Sequence, residues 1–125
     1  MRSTEIAAAL FDAFQSGDTD AARRLCAPDL TAVQNLDRRM TLDELLHFSS
    51  AVLAAVSSFR YVDAVRTETE TGFVEEHGVE IELPDGRQMR FAACVVGVVA
   101  DGRVVELRET VDGAGAAPLL AALAG

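Results

Sequence analysis

The sequence predicts an α+β domain, in which N-terminal helices close over a curved antiparallel sheet and enclose a mostly apolar pocket. Three observations carry this. Apolar residues recur at helical spacing as far as about residue 57 and alternate with period two from Phe59 onward. Turn signals divide the second part into segments of strand length. Helices gathered ahead of the strands, rather than alternating with them, give α+β and not repeated β-α-β units.

Each element follows from local chemistry. Residues 4–16 place Ile6, Leu10, Ala13 and Phe14 on one helical face, with Gly17 as the C-cap. A short helix runs from about Thr19 to Cys26 and ends at Pro28, because the residue before a proline disfavours helix. Thr31 to Asn35 is a short extended segment. Thr41-Leu42-Asp43-Glu44 is a capping box opening a helix that continues to about Ser57. Four strands follow: Arg60–Thr69, Phe73–Leu83, Arg87–Ala100 and Arg103–Asp112. They are separated by Thr71-Gly72, Pro84-Asp85-Gly86 and Asp101-Gly102, so the last three form a meander. A helix over Ala116–Ala124 ends the chain.

Composition narrows the function. At 125 residues the chain reads as a single domain, 1–125, able to bury roughly two thirds of its unfolded surface. Hydrophobic residues make up 50%, yet no apolar run approaches the ~20 residues of a membrane span. The first residues lack the pattern of a secretory leader, so a cytoplasmic location is expected. A net charge of −9 argues against nucleic acid and acidic membrane surfaces as partners, and reads as a feature that keeps the chain soluble. All 11 basic residues are arginine, which removes the Schiff-base lysine. There is no Gly-rich phosphate loop and no Gly-x-Ser-x-Gly elbow. Cys26 and Cys94 are far apart and read as reduced thiols, and His47 and His77 are the only histidines, so neither a zinc site nor another cofactor is expected. Chemistry must come from carboxylates, histidine, a thiol, amides and hydroxyls.

Period-two counting locates it. In Phe73–Leu83 the apolar face of Phe73, Val79, Ile81 and Leu83 is interrupted by His77; in Arg103–Asp112 the face of Val105, Leu107 and Val111 is interrupted by Glu109. Burying either without a partner costs several kcal/mol. Two-residue hairpins at Asp85-Gly86 and Asp101-Gly102 would align His77, Cys94 and Glu109 in one row, ringed by Ala92, Val96, Val79 and Leu107. A slip or bulge would turn the middle strand over. The functional reading is an acid/base pair in a pocket: apolar surroundings raise a glutamate's pKa and lower a histidine's, mutual attraction opposes both shifts, and either result leaves a group able to exchange protons near neutral pH. The plain alternative is a buried polar pair without turnover.

Other candidates are weaker. Gln34 or Asn35 is expected to point inward as an amide donor. Cys94 could be a nucleophile, but a thiol among apolar neighbours is usually inert. His47 falls on the solvent side of its helix, Tyr61 is expected at the sheet edge, and the arginine pairs at 23–24 and 38–39 read as surface. The strand Phe91–Val99 is apolar on both faces, so one face needs a cover beyond the chain's own helices; a homodimer packed sheet to sheet is expected.

The run from Phe14-Gln15-Ser16-Gly17-Asp18 through Leu25-Cys26-Ala27-Pro28-Asp29, with the segment 101–112, resembles the SnoaL-like branch of the nuclear transport factor 2-like superfamily. The resemblance implies a cone-shaped, cystatin-like fold: a strongly curved sheet around a long helix, a ligand cavity inside, and frequent dimers. It includes ketosteroid isomerases, limonene-type epoxide hydrolases and polyketide cyclases. The isomerase's base, oxyanion tyrosine and protonated aspartate correspond to Gln34, Leu10 and the neighbourhood of Val96, so that mechanism is not expected. The hydrolase motif Trp-Arg-Asp-Tyr-Phe-Asp corresponds to Leu107-Arg108-Glu109-Thr110-Val111-Asp112. Its water-activating aspartate falls on Glu109 and its water-holding amide on Gln34, while its arginine falls on His77 and its second aspartate on Val79. The implied function is an enzyme acting on a small apolar metabolite, with Glu109 and His77 catalytic. Gln34, Cys94, Val79, Val96, Leu107 and Phe14 would contact the substrate. A non-catalytic binding or dimerisation protein is the alternative.

Overall fold

The computed structural model describes residues 1–124. Helix α1 (Ser3–Ser16) ends at Gly17, whose φ of 75° is the left-handed conformation glycine adopts without strain. Helix α2 (Thr19–Leu25) is capped by the Asp18 carboxylate, which accepts from the Ala21 N–H at 3.0 Å. Strands β1 (Cys26–Gln34) and β2 (Arg38–Thr41) precede α3 (Leu42–Ala55), which opens on the Thr41/Glu44 capping box. Then come β3 (Ser58–Glu68), β4 (Gly72–Glu82), β5 (Gln88–Ala100), β6 (Arg103–Val111) and α4 (Gly113–Ala124).

The six strands form one curved, unclosed sheet in the order β2-β1-β6-β5-β4-β3. Every pairing is antiparallel except β1 with β6, which is parallel and makes the sheet mixed. The extended segment expected at Thr31–Asn35 starts five residues earlier, directly after α2, because Leu30 and Ala32 turn into the core while Asp29 and Thr31 face out. The final helix starts at Gly113, where Asp112 accepts from the N–H groups of Ala114 and Gly115 and satisfies a free helix end.

Helices and sheet meet in two buried clusters. One joins α1 and α2 to β1 and β6 through residues such as Leu10, Phe11, Ala22, Leu30 and Val104; the other joins α3 and α4 to β4 and β5 through Val52, Ile81, Phe91 and Leu119. Phe48 and Tyr61 pack against both. Gly97 is required on β5: a Cβ there would stand 2.2 Å from ring carbons of fully buried Phe73. Among the described residues, no helix is long and apolar enough to cross a membrane.

Candidate functional site

Between the clusters lies a cavity of about 160 Å³, walled by α1, α3, α4 and the inner face of the sheet. A cavity of ~150 Å³ admits a benzene ring. Its walls are mostly apolar and include Phe11, Phe14, Phe48, Phe59 and Phe91, five of the chain's six phenylalanines. Polar groups reach it from Gln34, Asn35, Ser49, Tyr61 and Glu109. Of the residues expected to contact a ligand, Phe14, Gln34, Val79 and Leu107 line this cavity, as does Glu109.

The expected row of His77, Cys94 and Glu109 does not form. Strand β4 turns into β5 through three residues, Pro84-Asp85-Gly86, with the Leu83 N–H donating to the Arg87 carbonyl, so His77 pairs with Ala93. On the other side the Asp101-Gly102 hairpin has two residues, but a bulge past Val99 moves the register by one and pairs Glu109 with Val95. Both shifts invert β5 relative to its neighbours. Phe91, Ala93 and Val95 face inward, and Cys94 and Val96 lie half-buried on the outer face, away from the cavity. Their assignment as ligand contacts is corrected.

A different row takes its place. Registered pairs run from Arg66 to Glu75, Val95, Glu109, Gln34 and Arg38, across all six strands. Two carboxylates thus share the inner face, two strands and ~10 Å apart. Glu109 is half-buried at the cavity, and its Oε1 accepts from the Gln34 amide at 2.7 Å. Glu75 is completely buried; its carboxylate accepts from the Arg66 guanidinium and meets His77 Nδ1 at 2.6 Å. Parity was the available signal for Glu75, since it shares an odd-numbered strand face with His77.

His77 does not line the cavity. Its ring packs against Phe11 at 4.9 Å and Tyr61 at 4.6 Å between centroids, behind these two wall residues. Glu75 engages Nδ1 and thereby sets the ring's orientation. The opposite nitrogen, Nε2, is buried without a hydrogen-bond partner among the described residues. Tyr61 does sit on the edge strand, but its ring turns inward and forms part of the cavity wall. Enclosure pushes its phenol far above the ordinary tyrosine range, and the charges of Glu109 and Glu75 push the same way. Burial likewise raises the Cys26 thiol to about 11. His47 is exposed, and the Arg38 guanidinium lies over the Phe48 ring at 4.4 Å. Among the described residues there is no cluster of three or more His, Cys, Asp or Glu able to hold a metal.

A curved sheet folded over helices around an apolar cavity, with one carboxylate inside, defines a cone-shaped α+β protein of the nuclear transport factor 2-like kind. The chain belongs to the SnoaL-like domain family, which matches residues 7–107. Solved structures share the fold at low identity. A candidate polyketide cyclase of Pseudomonas putida is 18% identical, with a TM-score of 0.81 over 92% of this chain and 95% of its own. IdmH of Streptomyces antibioticus, also a candidate polyketide cyclase, is 20% identical, with a TM-score of 0.80 over 97% and 99%. An LEH-like epoxide hydrolase of M. tuberculosis is 18% identical, with a TM-score of 0.77 over 98% and 92%. No curated protein matches the sequence.

Proposed function

We propose that the chain is an enzyme performing acid–base chemistry, without a cofactor, on a small and largely apolar metabolite held in the cavity. Glu109 is its general base. The observation that carries this reading is a carboxylate set among apolar walls with one hydrogen bond, from the Gln34 amide, which orients it while leaving proton-accepting capacity toward the ligand. Gln34 also stands where it can hold a water or a substrate oxygen. His77 contributes from behind the wall through Phe11 and Tyr61. The names of the structural neighbours, cyclases and an epoxide hydrolase, support the same class of chemistry.

Glu109→Gln tests it. The amide keeps the shape but cannot take a proton, so turnover in a screen of small carbonyl and epoxide compounds should fall roughly 10²–10⁴-fold. Undiminished turnover overturns the assignment. A second reading, binding without turnover, draws on the separation of His77 from the cavity; it expects ligand affinity to survive both Glu109→Gln and His77→Ala with no product formed.

The reading extends to assembly. The outer face of the sheet carries half-buried Val62, Val74, Cys94, Val96 and Val98 beside exposed Ala92, interrupted by exposed Glu76 opposite Cys94 and bordered by paired charges such as Arg60–Glu80 and Arg108–Glu106. A second copy of the chain, presenting the same apolar strip within the same balanced border, is the proposed cover.

A further inference from the structure

Arg38 stands at the edge of the cavity with its charge unmatched. It shares the inner face of β2 with buried Met40, and its guanidinium lies over the ring of Phe48, a wall residue. Asn35, Gly113 and Leu120 line the cavity and are themselves exposed, so they mark where it opens. The opening therefore lies between the β1–β2 turn and α4, and Arg38 directly follows that turn. The turn is firmly held. The Asn35 N–H donates to the Glu109 carbonyl at 2.8 Å, and Asn35 Oδ1 accepts from the Val111 N–H at 2.9 Å.

The order of the row keeps the cation available. Arg38 pairs with Gln34, and Gln34 with Glu109, so the two charges sit two strands and ~10 Å apart. The amide between them already donates to the Glu109 carboxylate. Among the described residues Arg38 has no carboxylate partner, and no cationic side chain lines the cavity itself. The Phe48 ring offers no lone pair, so the guanidinium fork keeps its capacity for an oxygen acceptor. The ring contact also restrains a long side chain, which lowers the entropy lost when a ligand binds there.

We propose that the cavity takes a ring-sized apolar carboxylic acid as its anion, with Arg38 holding the carboxylate at the opening while the apolar body lies among the aromatic walls. This rests on the cavity as a ligand site, and adds the ligand's charge and the residue that selects it; it does not depend on Glu109 as a base. About 160 Å³ limits the body to one ring. A carboxylate is planar and singly charged, and it matches the guanidinium fork with two parallel hydrogen bonds. A phosphate monoester would bring nearly two charges toward a chain of net charge −9, with one cation to offset them. The charge balance favours the monoanion. It also orients the ligand, whose charged end stays two strands from Glu109 while its apolar end enters the interior.

Cyclohexylacetate and its uncharged amide, cyclohexylacetamide, are the probes. Tyr61 is the reporter, because the chain has one tyrosine and no tryptophan, and that tyrosine lines the cavity. Titration against Tyr61 fluorescence at low salt should show the acid binding roughly tenfold more tightly than the amide. Arg38→Met keeps the stem of the side chain, and should erase that preference while leaving the affinity for the amide unchanged. Retained amide binding also shows that this variant is folded. Equal affinity for acid and amide in the parent protein overturns the proposal and leaves the cavity as a site for neutral ligands. So does a preference that survives Arg38→Met, or a loss of both ligands alike in that variant. Silence of Tyr61 toward both compounds in the parent protein overturns the proposal together with the ring-sized ligand site on which it rests.

Discussion

Two glutamates point to the same side of the same sheet, two strands apart, and meet opposite fates. Glu75 is fully buried and matched on both oxygens, by a guanidinium and an imidazole. Its charge is neutralised inside the protein, and no capacity is left over for a ligand. Glu109 has one neutral partner, Gln34, and opens onto the cavity. The number and charge of the partners, together with full burial against access to the cavity, separate a carboxylate that stabilises from one that can react.

The comparison can be broken most directly by the same substitution at both places. Glu75→Gln strands Arg66 and His77 next to a neutral amide, and should lower stability by about 3 kcal/mol in urea denaturation. Glu109→Gln exchanges one hydrogen-bonded group for another at a half-open site and should change stability by less than ~1 kcal/mol. Equal losses would show that both glutamates serve the fold.

A smaller effect appears in alkali. The folded state holds the Cys26 thiol protonated to about 11, against an ordinary value of 9.0, and burial holds Tyr61 protonated as well. Above pH 9 the unfolded chain releases the thiol proton while the folded chain retains it, so the unfolded state binds fewer protons and stability falls as pH rises. Cys26 alone should cost ~2 kcal/mol between pH 9 and pH 11, and Cys26→Ala should flatten that slope. A slope unchanged by the substitution would show that the thiol is not the group responsible.

How much of this was legible beforehand depended on what each inference required. Helix caps at Gly17 and Thr41 and the switch of period near Phe59 are local, and they located the helices and strands. The inward direction of His77 and Glu109 needed only parity within one strand. The row joining them needed the register of three strands, and that depended on whether Pro84 joined its turn and whether β5 and β6 carried a bulge. Both are decided by packing over the whole sheet, including Phe73 filling the space over Gly97. Arg66 escaped notice because nothing local ties it to Glu75; only the pairing of β3 with β4 brings them together. Tyr61 could be assigned to an edge strand, yet its inward turn follows from the register that pairs it with inward-facing Val79.

The smallest expected effect compares the two faces of the sheet through the two thiols. Cys26 is 1% exposed in the core and its thiolate is suppressed about a hundredfold by its raised pKa, whereas Cys94 is half-buried on the outer face. An aromatic disulfide reagent should therefore label one thiol per folded chain, and Cys94→Ser should abolish that labelling. If a second copy covers the outer face, the Cys94 rate must fall as protein concentration rises through the range where sedimentation shows dimers forming. A rate independent of concentration, with a monomer in sedimentation, would leave the outer strip uncovered and remove the proposed dimer, while the chemistry of the inner face would stand unchanged.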